Sequence, residues 1–153
     1  MLFDRFLITS EQCFTEVVVL IEDAKFAGFQ VGADLGRAVA SMDMFFNPSV
    51  TEAFGNVTLE SMACGLPVVA AKATGSQSLV EDKVSGRLIT PGAINQFADA
   101  LQAYCVNTDL RAEHGDIGER RSHDYSWDAI NQTVADTYLR LIRQRAARDI
   151  AAR

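Results

Sequence analysis

Asn47-Pro48-Ser49-Val50-Thr51-Glu52-Ala53-Phe54-Gly55-Asn56-Val57-Thr58-Leu59-Glu60-Ser61-Met62-Ala63-Cys64-Gly65-Leu66-Pro67-Val68-Val69-Ala70 reads as strand end, loop, helix, tight turn and strand. Pro48 and Gly55 punctuate the loop, and Asn56 is a candidate cap for a helix over Val57 to Cys64. Gly65-Leu66-Pro67 stops that helix, because glycine tolerates a left-handed residue and proline cannot continue the turn. The β-branched, wholly apolar run that follows suits a strand buried on both faces, as parallel sheets require.

Working outward, the same alternation recurs. Strands are expected at Val17 to Ile21, Asp43 to Phe46, Pro67 to Ala71 and Gly86 to Ile89, with a helix over Ala33 to Ser41 ahead of the quoted stretch. After Pro91-Gly92, Phe97, Leu101 and Tyr104 recur at helical spacing, and after Ser126 so do Ile130, Val134, Tyr138 and Leu141. The fold class is therefore α/β, a single Rossmann-like domain with a mostly parallel sheet flanked by helices and a helical carboxy-terminal segment. At 153 residues the chain accommodates one such domain.

The net charge of −6 argues against non-specific attraction to nucleic acid or anionic lipid, so no nucleic-acid partner is expected. Val17 to Ile21 is too short to span a bilayer, and the acidic residues before it spoil a leader pattern. Cys13, Cys64 and Cys105 lack metal-ligand spacing and read as reduced core thiols, which points to the cytoplasm.

In an open parallel sheet, ligands gather where loops leave the carboxyl ends of strands, and the loop from Phe46 to Asn56 is such a place. The helix behind it turns unpaired amides and the positive end of its dipole toward the loop, which suits a phosphate or pyrophosphate. Gly55 permits close approach. Glu52 and Glu60 can flank the amides and accept hydrogen bonds from paired sugar hydroxyls. Spacing alone favours the plainer reading of two solvated carboxylates near a helix start, where the dipole suits acidic side chains.

The run from Phe26 to Gly92 resembles the carboxy-terminal donor-binding domain of retaining family 4 glycosyltransferases, which have the two-domain GT-B fold. The resemblance is carried by Pro48-Ser49, by Glu-x7-Glu at Glu52 and Glu60 with Phe54-Gly55 between them, and by Ala63-Cys64-Gly65-Leu66-Pro67-Val68-Val69. It implies hexosyl transfer from a nucleoside diphosphate sugar, without a bound metal or other cofactor. Glu52 would contact the transferred sugar as the catalytic-site carboxylate, and Glu60 the nucleotide ribose. Backbone amides of Ala53, Phe54, Gly55, Asn56 and Val57 would hold sugar and phosphate oxygens. Asp43 would open the strand before the loop, Trp127 would anchor the terminal helix in the core, and His114 and His123 would be structural or surface residues.

Two departures from the family pattern stand out. The loop Ala73-Thr74-Gly75-Ser76-Gln77 resembles a donor-facing segment, but Ser76 occupies a position where a second glycine is common, and Leu79 just after it one where a glutamate is common. The arginine and lysine that precede the family's domain and neutralise the diphosphate have no match at Arg5 or Lys25. Residues 1–25 therefore read as a shortened or divergent entry and 26–153 as the donor-binding domain, needing an acceptor-domain partner for turnover. The alternative is a non-catalytic module that oligomerises, as a homodimer for instance, through the terminal helix. A dehydrogenase or ATPase is disfavoured, since neither Gly-x-Gly-x-x-Gly nor a Gly-Lys-Ser/Thr loop is present.

Overall fold

The computed structural model describes residues 27–51 and 53–151. The expected strand Val17 to Ile21 and Glu52 lie outside them. Along the described chain run α1 (Gly32–Ala40), β1 (Phe45–Asn47), α2 (Asn56–Ala63), β2 (Val68–Ala71), α3 (Thr74–Leu79), β3 (Gly86–Ile89), α4 (Ile94–Val106), α5 (Thr108–Ser122), a 3₁₀ turn (His123–Tyr125) and α6 (Trp127–Ala151). The strands pair in parallel in the order β1-β2-β3, Phe45 opposite Val68 and Val68 opposite Gly86.

All four residues of β2 are buried, and their alternation builds two cores. Val69 and Ala71 join Ile89, Phe97, Ala100 and Tyr104 on the α4 side. Val68 and Ala70 join Met62, Leu79 and Val80 on the side of α2 and α3. A strand with apolar partners above and below has no place for a polar residue, which explains the unbroken run Val68-Val69-Ala70-Ala71.

The turn between α2 and β2 is a Schellman motif. Gly65 takes φ +73°, its amide donates to the Met62 carbonyl at 2.9 Å, and the Leu66 amide donates to Ser61 at 3.1 Å. Gly115 of α5 faces the Gly65 carbonyl so closely that a Cβ there would collide with it, so α5 lies with its backbone directly on this turn.

Four local expectations are corrected. The strand expected at Asp43 to Phe46 is displaced to Phe45–Asn47, leaving Asp43 exposed in the preceding bend, because the first backbone bond to the sheet is made by the Phe45 amide to Pro67 at 2.9 Å. Thr74–Leu79 is a short helix instead of a loop. Trp127 is 79% exposed rather than a core anchor, since α6 leaves the domain at that residue. Cys64 is exposed and Cys105 half-buried, so neither is a core thiol.

Candidate functional site

The site is assembled at the carboxyl edge of the sheet, where β1 ends. Asn47, its last residue, accepts a hydrogen bond on Oδ1 from the Ser49 amide at 3.1 Å, curling the chain into the loop. Its Nδ2 donates to Thr58 Oγ1 at 3.4 Å, and Thr58 is completely buried in the first turn of α2. One side chain thus ties the strand, the loop and the helix start together. Sequence reasoning passed over Asn47 as a positioning residue, although Asn-Pro marks a turn.

Gly55, not Asn56, is the cap of α2, with φ +97° and ψ 41°. The glycine is needed twice over. An L side chain is strained at that φ, and a Cβ would stand 3.0 Å from Leu79 Cδ1 and 3.6 Å from the carbonyl carbon of Gly75. The loop after β1 therefore rests directly on α3, the segment after β2. Its carbonyl accepts the first helical bond, from Leu59 at 2.9 Å.

No side chain caps α2 and no acidic residue lies in its first turn. The amides of Asn56, Val57 and Thr58 precede the first intrahelical donor, and the positive end of the helix is left without a compensating charge among the described residues. Asn56 and Glu60 are exposed and share one face, four residues apart, while Thr58, Ser61 and Met62 turn inward. Ala53 and Phe54 are exposed in the loop and Val57 is half-buried. Ala53 through Val57 and Glu60 thus occupy one contiguous rim, while Glu52 lies outside the described residues.

The opposite wall is held from behind. Tyr125 Oη donates to the Ser78 carbonyl at 2.8 Å and Arg121 Nε to the Leu79 carbonyl at 2.8 Å, satisfying two carbonyls at the end of α3. The Arg121 guanidinium also faces Glu81 at 3.5 Å. Phe54 meets Tyr125 edge-to-face with ring centroids 6.1 Å apart. Ser76, within α3, is fully buried and its hydroxyl has no hydrogen-bond partner.

Other chemical groups lie apart from this rim. Tyr104 Oη and His114 Nδ1 are 2.6 Å apart between α4 and α5, and His123 is exposed in the 3₁₀ turn. Burial holds the Tyr104 hydroxyl well above its usual range and the His114 imidazole below its own. Burial, then the neighbouring Glu60 carboxylate, raises the Cys64 thiol. The depression over Gly92 to Gln96, at the exit of β3, is walled by one contiguous segment and gathers no converging groups.

Comparison with known proteins adds four findings. Residues 6–107 match the family described as "Glycosyl transferases group 1". The D-inositol 3-phosphate glycosyltransferase of Saccharomonospora viridis is 35% identical over 109 residues, 71% of this chain and 25% of that protein. Anabaena HepE, solved in complex with UDP-glucose, superposes with a TM-score of 0.72 at 33% identity over 84% of this chain and 37% of that one. Sucrose-phosphate synthase from Thermosynechococcus elongatus gives a TM-score of 0.75 at 26% identity, covering 90% and 38%. The chain spans about a quarter of the curated relative's length and somewhat over a third of each solved structure.

Proposed function

The chain belongs to the glycosyl transferases group 1 family, and we propose on that premise that it is the donor-binding part of a retaining, family 4-type glycosyltransferase. The observation that carries this reading is the uncapped start of α2 behind the buried, positive-φ Gly55, in a chain similar to a protein solved with UDP-glucose. Amides from Ala53 to Val57 hold the sugar and diphosphate oxygens. Glu60, on the exposed face next to them, accepts hydrogen bonds from the ribose, and Glu52 contacts the transferred hexose. Donor and acceptor are brought together only with an acceptor-binding partner lobe, and neither metal nor other cofactor takes part.

No described helix is long and apolar enough to cross a membrane. Work in the cytoplasm, where thiols stay reduced, is supported by the unpaired Cys64 and Cys105.

Calorimetric titration with UDP, GDP and ADP sugars tests the site. Saturable binding of one of them, weakened about tenfold in Glu60→Ala by loss of one charged contact, is expected. Failure of all three to bind, or a Glu60→Ala variant of unchanged affinity, would overturn the assignment.

One observation favours a second reading, an interaction module that self-associates. Ile130, Val134, Tyr138 and Leu141 are 36–66% exposed along one stripe of α6, an unusual apolar surface for a monomer. Light scattering that gives a monomer at high concentration would remove this reading.

A further inference from the structure

The proposed donor brings a diphosphate to a rim on which the described carboxylate, Glu60, is exposed, in a chain of net charge −6. Helix amides supply only partial positive charge, roughly half a unit per helix end. A cation at that edge would offset the remaining negative charge of the diphosphate. Of the described cations, Arg121 is already engaged by the Leu79 carbonyl and Glu81, and Arg87, opposite Val69 in β3, lies on the α4 side of the sheet facing Asp82 at 3.9 Å.

Lys72 remains. It follows β2 directly, its amide donates to the Ile89 carbonyl at 2.7 Å, and this bond fixes its backbone at the carboxyl edge of the β2-β3 pair. It sits in the bend that leaves β2 toward α3, where the Ala73 amide donates to the Ala71 carbonyl at 2.8 Å. Three residues later comes Gly75, whose backbone borders Gly55 at the start of α2. The side chain is exposed and forms no ion pair among the described residues. A lysine there is a compact charge on a flexible four-carbon stem, well suited to reach a phosphate between the two loops.

We infer that Lys72 is a donor-binding residue, its ammonium neutralising the diphosphate of the nucleotide sugar bound at the start of α2. The inference rests on the donor-site reading above. It makes the segment after β2 an active wall of the site.

The test is titration of UDP, and separately of uridine, into the wild-type chain, Lys72→Gln and Lys72→Arg, with thermal unfolding of each as a control on folding. Lys72→Gln is expected to bind UDP about tenfold more weakly, as loss of one charge-assisted contact implies, and to show a shallower dependence on salt. Lys72→Arg should retain most of the affinity, and all three should unfold at the same temperature because the side chain is exposed. Equal UDP affinity in wild type and Lys72→Gln would overturn the role of Lys72 while leaving the donor site standing. A wild-type chain that binds neither UDP nor any of the UDP, GDP and ADP sugars would overturn the donor site itself, and the inference with it.

Discussion

Gly55 shows how far single residues could be read. The sequence marks it as a place where a ligand can approach, but its positive φ and its contact with Leu79 are properties of the assembled loop pair. Gly55→Ala should therefore destabilise the fold by about 1–3 kcal/mol, combining backbone strain with the displaced Leu79 side chain, as measured by urea unfolding. Ser76 gives the opposite sign. Its buried hydroxyl has no partner, so Ser76→Ala removes an uncompensated desolvation cost and should raise stability by about 1 kcal/mol in the same assay. The sequence singled out Ser76 only as a departure from a glycine, because an orphaned hydroxyl becomes visible only when its surroundings are known. Asn47 was missed for a similar reason, since its hydrogen bonds with Ser49 and Thr58 join residues 2 and 11 positions away.

At the scale of elements, legibility followed local determination. The strand at Gly86–Ile89 has the bounds its residues suggested, and α2 and β2 fell within a residue of expectation because Gly65 and Pro67 terminate them locally. The helix Thr74–Leu79 was illegible, since Thr-Gly-Ser-Gln-Ser has poor intrinsic helicity. It forms because Leu79 is buried against Met62 and Val80, and because Tyr125 and Arg121 bond its last carbonyls from 42 to 47 residues away. The α4-α5 corner carries a pH-dependent element. Tyr104 Oη and Nδ1 of His114 share one hydrogen bond, and Glu113, Arg87 and Asp82 are the charged groups that act on the imidazole besides its burial. Because burial lowers the folded-state pKa, the unfolded chain takes up this proton first as pH falls below about 6.5. The stability contributed by neutral His114 is therefore present above that pH, declines as pH falls toward the folded value, and is constant below it. Urea unfolding across pH 8 to 5 should show this decline, and His114→Gln should remove its share of the slope. Tyr104→Phe should cost about 1–3 kcal/mol at pH 8, leaving the buried ring nitrogen without its hydrogen-bond partner.

For the whole molecule, the determining contrast lies between a doubly covered sheet and a helix that shares little of it. Residues 131–149 of α6 are all exposed, and among the described elements its main contact is the 3₁₀ turn it grows from. The spacing of Ile130, Val134, Tyr138 and Leu141 made the helix legible, but not what lies against its stripe, because periodicity records a face and not a partner. The same logic explains Trp127: an aromatic at a helix start suggested a core anchor, whereas its position at the departure from the domain leaves it outside. Folding of the domain should consequently be indifferent to that stripe. Val134→Glu and Leu141→Glu, singly or together, are expected to shift the folding free energy by no more than about 0.5 kcal/mol, as for exposed positions generally. Two-state urea unfolding checks this, and a large loss would mean that α6 is integral to the core. Any self-association through the stripe should in contrast be abolished by the double variant, since two carboxylates would be buried in an apolar contact. Light scattering of wild type and double variant at matched concentration reads that directly, and with donor titration on the same samples it separates a surface for partners from the site at the start of α2.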